Sequence, residues 1–544
     1  MDRRTVIKAL GTTIPAWYLH KFTKAEGLRR EDPFTPQWAS LERYQVPAWF
    51  RDAKFGIWAH WGPQCEPERG DWYGRGMYQE GSDQYAYHLK KYGHPSVFGF
   101  KDVINEWKAE NWAPEALMDL YKRSGAQYFM ALANHHDNFD LYASSHHAWN
   151  STRIGPKKDI VSAWEKAAKK RGMRFGVSVH AAHAWTWYET AQLADKQGPY
   201  KGVSYDGRLT KADGRGKWWE GLDPQELYAQ QHPLSRSSEG DDDTQRQWRW
   251  DVGSGVSIPT KDYCENFRLR TMELIDHYNP DIVYFDDTVL PLWPISNVGL
   301  EIVAQYYNQN TKRNKGRLEA VVTGKILNEQ QRKCLVWDIE RGQSNQIEPE
   351  PWQTCTCIGS WHYDRRIYEK GTYKSAKTVI HMLADVVSKN GNLLLSVPLR
   401  GDGSLDDKER QIMEEIAAWM TVNSESIIGT RPWHTFGEGP AQSETAQLSD
   451  QGFNEGKGKP FTSEDIRFTT KGDTLYAIVM GWPESGKVSI KSLAEGKGGS
   501  KPIKKMNLLG YNSDLSFVQN NQGLTLTLPE SIAKNEIAVV LKLA

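Results

Sequence analysis

The sequence predicts an α/β fold: a (β/α)8-like barrel followed by a C-terminal antiparallel β-sandwich. Three observations carry that expectation. From about residue 30 to 425, short apolar runs alternate with amphipathic helical patterns. After residue 430 the hydrophobic period drops to two, broken by turn signals. Polar, chemistry-bearing residues follow one apolar run after another at its C-terminal end, where barrel enzymes place their sites.

The elements follow in chain order. "KFGIWAH" (54–60) reads as the first strand. "APEALMDLYKRSG" (113–125) is an amphipathic helix closed by Gly, and "AQYFMAL" (126–132) is the next strand. "KDIVSAWEKAAKKRG" (158–172) repeats the helix-then-Gly pattern and leads into the strand "MRFGVSVH" (173–180). "FRLRTMELIDHY" (267–278) is a helix and "DIVYFDD" (281–287) a strand. "LEIVAQYYNQN" (300–310) and "LEAVVT" (318–323) form the next pair, and "CLVWDI" (334–339) is a further apolar run. "YKSAKTVIHMLADVVSKNG" (373–391), "NLLLSVPL" (392–399) and "KERQIMEEIAAWMTVN" (408–423) complete the barrel. Strands of this kind, apolar on both faces, belong to a parallel sheet covered by helices. Beyond them "DIRFTTKGDTLYAIVMGWPESGKVSIKSL" alternates residue by residue, as a sandwich requires. The expected boundaries are a barrel over 29–428 and a sandwich over 429–544.

The first residues, "MDRRTVIKALGTTIPAWYLHKFTKAEG", place Arg3-Arg4 ahead of a short apolar stretch. That resembles a twin-arginine export signal over 1–28, with a periplasmic destination. No later segment reaches ~18 uninterrupted apolar residues, so no membrane span is expected. The 68 basic and 68 acidic residues balance, which argues against a nucleic-acid surface. The five cysteines are odd in number and scattered, so they form neither a disulfide framework nor a zinc site. No nucleotide-binding glycine loop is present, and no cofactor is expected. The long polar, aromatic stretch 185–260 is expected to be a loop on the active-site side; its Asp241–Asp243 run reads as solvated rather than as a calcium site.

The 23 Trp and 24 Tyr often stand beside Gly, Asp and His rather than in apolar runs. Aromatic faces next to polar groups suit a carbohydrate partner. The strand ends supply the rest: His60, then His135 and His136, then His180, then Asp286 and Asp287, then Glu340 and Arg341. Neutral imidazoles hydrogen-bond sugar hydroxyls, and two carboxylates perform glycoside hydrolysis. Asp286 and Asp287 point to opposite faces of one strand and are not that pair.

Several segments together resemble the α-L-fucosidases, glycoside hydrolase family 29. They are "KFGIWAHWGPQCEPERGDWYGRGMY", "NHHDNFDLYASSHHAWNS", "KRGMRFGVSV", "NPDIVYFDD", "LADVVSKNGNLLLSVPLRGDGSL" and "GTRPW", in family order. The resemblance implies a barrel plus sandwich and exo-acting, retaining release of terminal α-L-fucose through a glycosyl-Asp intermediate. It assigns Asp286 as nucleophile and points to Glu340 as acid/base, with Glu348 and Glu350 in reserve. It carries sugar binding to His60, Asp71, Trp72, His135, His136 and Arg341. Asp71 stands where the family has Glu. Tyr284 replaces a Trp, and His180 stands near the place of a missing Tyr; both are expected to bind substrate as well. Gln353 occupies the slot of one subgroup's acid/base. These departures keep two alternatives open: an α-L-galactosidase acting on algal galactan fragments, and a catalytically impaired sugar-binding homologue.

Overall fold

Eight short strands, buried along most or all of their length, close into a parallel barrel in strict chain order. They are β1 (Phe55–Ala59), β2 (Tyr128–Asn134), β3 (Arg174–Val179), β4 (Ile282–Phe285), β5 (Val321–Gly324), β6 (Val336–Glu340), β7 (Trp352–Cys357) and β8 (Gly391–Ser396). The ring closes where Phe55 of β1 pairs with Leu393 of β8. The computed structural model describes residues 33–235, 250, 252–442, 454–496, 502–530 and 534–544. The candidate export signal at 1–28 and the Asp241–Asp243 run lie outside them. No helix among the described residues is long and apolar enough to cross a membrane. All five cysteines are free and buried.

Seven of the eight strands coincide with apolar runs in the sequence; β7 does not. "WQTCTC" carries no aliphatic residue, yet every position in it is buried. Its polar side chains have hydrogen-bond partners. Gln353 Nε2 donates to Asp338 (2.8 Å) and its Oε1 accepts from the Tyr128 hydroxyl (2.9 Å). Thr354 bonds the carbonyls of Ile339 and Gly342. The Tyr128 ring lies over Gly56 of β1, where a Cβ would sit 2.3 Å from the ring. A larger residue at position 56 would expel the tyrosine.

The helices Pro114–Arg123, Ile160–Lys170, Lys261–Tyr278, Val298–Arg313, Ala376–Ser388 and Asp407–Asn423 lie on the expected segments. Side chains of Asp159, Thr260, Ser375 and Asp406 cap four of them, accepting an otherwise unpaired N–H from the first turn. Between β6 and β7 no described residue is helical; residues 341–351 run from the C-terminal rim directly back to the N-terminal end.

The remaining strands are antiparallel. β9 (Arg431–Glu438), β10 (Ile466–Lys471), β11 (Thr474–Val479), β13 (Met506–Leu508) and β16 (Val539–Leu543) make one sheet, in the order β13-β16-β11-β10-β9. β12 (Lys487–Ile490), β14 (Phe517–Asn520) and β15 (Gly523–Thr527) make the other. Phe468, Ile490, Leu524 and Leu541 are among the buried residues that fill the space between them. The sandwich is tied to the barrel by a buried ion cluster. Asp385, on a barrel helix, bonds Lys389 Nζ (2.6 Å) and Arg467 Nε of β10 (2.6 Å).

Burial alone would raise the Asp385 pKa, but the charges of Lys389 and Arg467 hold it below the usual carboxylate range. Its stabilisation is therefore fully present above the unfolded carboxylate pKa and is lost as pH falls through the lower folded value. Arg467→Met is expected to cost about 3–5 kcal/mol near neutrality. Chemical denaturation should show that loss, and the gap to wild type should narrow on acidification. A gap that is constant with pH would assign the loss to packing instead.

Candidate active site

The strand ends that looked promising in sequence meet at the C-terminal mouth of the barrel. They line a cavity of about 190 Å³. β1 contributes Trp58, and the segment after it His60, Asp71 and Trp72. β2 is followed by His135, β3 by His180, and β4 contributes Tyr284 and is followed by Asp286. Lys325 follows β5, Glu340 ends β6, and Trp361 follows β7.

Asp286 has hydrogen-bond partners on both carboxylate oxygens. Oδ2 accepts from His180 Nδ1 at 3.0 Å and lies 3.2 Å from His136 Nε2. Oδ1 accepts from Lys325 Nζ. The same ammonium donates to Glu340 Oε2 at 2.5 Å. Two bonds to one nitrogen cannot hold two carboxylate oxygens more than about 5–6 Å apart. The Asp286 and Glu340 side chains are 16% and 19% exposed, which leaves each one open edge toward the cavity.

The electrostatics separate the two acids. Burial pushes the Asp286 carboxyl up, but the Lys325 charge and the two histidines outweigh it and hold it well below its ordinary value. Burial pushes Glu340 up as well. There Lys325 opposes, the Asp286 charge adds, and the result is a raised pKa. Lys325 is buried, which disfavours its charge, yet the two carboxylates raise its pKa well above normal. One carboxylate is thus held ionised and its neighbour is poised to carry a proton.

Three of the histidines are neutral hydrogen-bonding groups. Burial lowers His60 and His135 well below the imidazole range, helped by the surrounding histidines, and lowers His180 to about 4. His180 Nδ1–H is committed to Asp286, and its Nε2, both His60 nitrogens and Trp58 Nε1 are buried without a protein partner. Such atoms in a cavity wall are free to bond water or the hydroxyls of a polar ligand. Asp71, a methylene shorter than the glutamate expected there, is held by His362 Nδ1 at 2.6 Å.

His60, Asp71, His135 and His362 are close enough to consider as metal ligands, as are His135, His136 and His180. Their hydrogen bonds fit that role poorly. The Gln64 amide donates to His135 Nδ1 at 2.7 Å and also serves Asp137. That leaves the His135 proton on Nε2, which is then a donor rather than a lone pair for a cation. The donor set suits hydroxyl groups better.

Two sequence expectations are corrected here. Arg341 does not line the cavity; its side chain is 45% exposed and its Nε faces Glu455 at 3.3 Å. Its backbone has φ +46°, which turns it away from the strand's direction. His136 does not line the cavity either; its Nδ1 meets the His180 carbonyl at 2.9 Å and its Nε2 faces Asp286, so it contacts the acid directly. The reserve glutamates lie elsewhere. The Glu348 N–H bonds the Lys389 carbonyl at the N-terminal end of the barrel, and Glu350 is exposed nearby. Gln353 sits below the cavity, tied to Asp338 and Tyr128. Asp287 also lines the cavity; beyond the end of β4 its carboxylate faces His183 Nε2 at 3.2 Å.

The sequence reading missed Lys325, Trp58, Trp361 and His362. Trp58 is two residues before His60 on the same strand face, so the period-two rule could have found it. Lys325 follows the apolar run 318–323 with Gly324 between them. Trp361 and His362 follow β7, the strand without an apolar signature.

A family model described as Alpha-L-fucosidase matches residues 22–425, and one described as Alpha-L-fucosidase C-terminal domain matches 459–544. The human tissue alpha-L-fucosidase is 26% identical over 540 residues, 95% of this chain and 94% of its own length. The alpha-L-fucosidase of Branchiostoma floridae is 23% identical, covering 91% of this chain and 92% of its own. The crystal structure of Thermotoga maritima alpha-fucosidase in complex with fucose shares the fold with a TM-score of 0.65 at 23% identity, covering 94% of this chain and 100% of that one.

The Asp286 charge raises the His180 pKa against burial, so removing that charge must lower it further. NMR of the His180 ring is expected to show a neutral imidazole down to about pH 4 in wild type and to still lower pH in Asp286→Asn. A rise in the variant would contradict the assigned contact.

Proposed function

The chain belongs to the α-L-fucosidase family and is a glycoside hydrolase; from that premise we propose that it releases terminal α-L-fucose with retention of configuration, Asp286 acting as nucleophile and Glu340 as acid/base. The observation that carries this reading is the sharing of one ammonium, Lys325 Nζ, by the two carboxylates. Retaining enzymes hold their carboxyl groups roughly 5–5.5 Å apart, and one ammonium bonded to both acids keeps the bonded oxygens within about 5–6 Å, which supports that reading. The cavity volume of about 190 Å³ supports exo action on a single sugar ring.

In the first step an Asp286 oxygen attacks the anomeric carbon as the glycosidic C–O bond breaks. Glu340, its pKa raised, gives its proton to the departing oxygen. Asp286 is now an ester and has lost its negative charge. Lys325 then acts on Glu340 alone and favours its carboxylate form. In the second step Glu340 takes a proton from water, the water oxygen bonds to the anomeric carbon, and the Asp286 carboxylate leaves. His60, His135, Asp71 and the indoles of Trp58 and Trp72 provide donors, acceptors and apolar faces for the sugar.

The alternative substrate, an α-L-galactoside, differs by a hydroxyl on C6. His180 Nε2 is buried, unpaired and on the cavity wall, and could accept from that hydroxyl. Apolar pockets reject an added hydroxyl only weakly, so both sugars are worth assaying. The impaired-homologue reading rested on Gln353, whose two bonds inside the barrel account for it without a catalytic role.

Asp286→Asn is expected to lower turnover of an aryl α-L-fucoside by at least about a thousandfold, some 4 kcal/mol of barrier. Glu340→Gln should cost about 10²–10⁴-fold on a fucosyl disaccharide and far less in the first step on a good aryl leaving group. Azide should rescue Glu340→Gln to the α-fucosyl azide and Asp286→Asn to the β-anomer. β-L-Fucose as the first product of the wild type would overturn the mechanism. Lys325→Met should move both limbs of the pH–rate profile upward, because both carboxyls lose a neighbouring cation. Unmoved limbs would remove Lys325 from the mechanism.

A further inference from the structure

Glu340 ends β6, and the residue after it adopts a backbone that a side chain disfavours. Arg341 at φ +46° lies in the left-handed region, at a cost of roughly 1–2 kcal/mol. The groups that hold this turn come from more than 100 residues downstream. The Gln343 N–H donates to Asn454 Oδ1 at 2.9 Å, and Asn454 Nδ2 donates to the Gln343 carbonyl at 3.1 Å. The Glu455 N–H donates to the Arg341 carbonyl at 2.9 Å. The Glu455 carboxylate meets Arg341 Nε at 3.3 Å, accepts from Thr356 Oγ1 at 2.8 Å and pairs with Lys374 Nζ at 2.7 Å. Its side chain is 11% exposed. Thr356 lies at the C-terminal end of β7, so this one carboxylate ties the rims of β6 and β7 together.

Asn454 and Glu455 fall in the interval 426–458, between the spans of the two family models. They also lie against the β6–β7 crossing, which lacks a helix among the described residues. We propose that Asn454 and Glu455 form a clamp, reaching from the C-terminal region back to the barrel rim, that fixes the Arg341 turn and so positions Glu340 for proton transfer. The proposal rests on Glu340 being the acid/base. Glu455 touches neither Glu340 nor the cavity wall; it is a positioning residue acting through Arg341.

A clamp of this kind should matter where protonation of the leaving group matters. Glu455→Ala is expected to lower kcat/KM about ten- to a hundredfold on a fucosyl disaccharide, with the loss in kcat. On 2,4-dinitrophenyl α-L-fucoside, whose departure needs no proton, the first step should fall by less than about threefold. The basic limb of the pH–rate profile should shift, and Glu455→Gln should recover part of the loss. Equal losses on both substrates with an unmoved basic limb would overturn the proposal, as would no loss at all. Should Glu455→Ala fail to fold by circular dichroism, Thr356→Val removes one bond of the clamp and is judged by the same two substrates. Glu340→Gln is measured alongside. If it lacks leaving-group dependence, the acid/base reading fails and the clamp with it; if it shows that dependence and the clamp variants do not, only the clamp fails.

Discussion

A single ammonium group holds two like charges together at the mouth of the barrel. At a separation near 5 Å and an effective dielectric of 20, Asp286 and Glu340 would repel by about 3 kcal/mol if both were ionised. Lys325 Nζ touches both. Attraction to the shared cation therefore exceeds the mutual repulsion. It does not exceed the cost of burial at Glu340, whose pKa remains raised. The site can hold one carboxylate ionised and its neighbour protonated because Lys325, His180 and His136 all address Asp286, while only Lys325 addresses Glu340. A lone buried acid pair would share that asymmetry by chance; here the donors assign it.

That arrangement depends on a barrel floor that cannot give way. Beneath the cavity the Tyr284 hydroxyl donates to Asp338, Gln353 donates to the same carboxylate, and Tyr128 donates to Gln353. Burial pushes Asp338 up to about 6, with Gln353 and Lys325 opposing. A network in which each member has a partner is rigid, and removing one member strands the others without water. Gly56 belongs to this network, since it supplies the space for the Tyr128 ring. The floor sets the positions of β4, β6 and β7, and so of Asp286 and Glu340 above it.

The architecture and most of the site were legible in the sequence for a simple physical reason. A parallel strand buried on both faces is an apolar run, and the residue after it points into the mouth. His60, His135, His180, Asp286 and Glu340 all follow such runs and all line the cavity. The exceptions also have physical causes. β7 is buried against polar barrel contents, so it lacks the apolar signature, and losing it hid Trp361 and His362. Arg341 follows an active-site strand, but its left-handed backbone redirects the side chain, and φ is not written in the residue type when the residue is not Gly. Lys325 was visible; a lone lysine after a strand does not announce that it will bridge two acids brought together from β4 and β6.

The sandwich bears on this site through one barrel helix. Ala376–Ser388 runs between β7 and β8, the strands that flank Trp361 and close the ring on β1. Just before the helix, Lys374 pairs with Glu455 and donates to the Cys357 carbonyl at the end of β7. Near its other end, Asp385 pairs with Arg467 of β10. In the middle, His381 Nε2 lies 2.7 Å from the Ile537 carbonyl. The C-terminal region therefore holds the helix at its start, middle and end. Where the chain omits a helix between β6 and β7, the residues just before the sandwich strand β10 occupy the adjoining groove. A barrel truncated after residue 428 would lose Arg467 and Glu455, leaving Asp385 with Lys389 alone and removing the carboxylate that Lys374 and Arg341 share. The C-terminal region is thus bonded both to this helix and to the rims of β6 and β7.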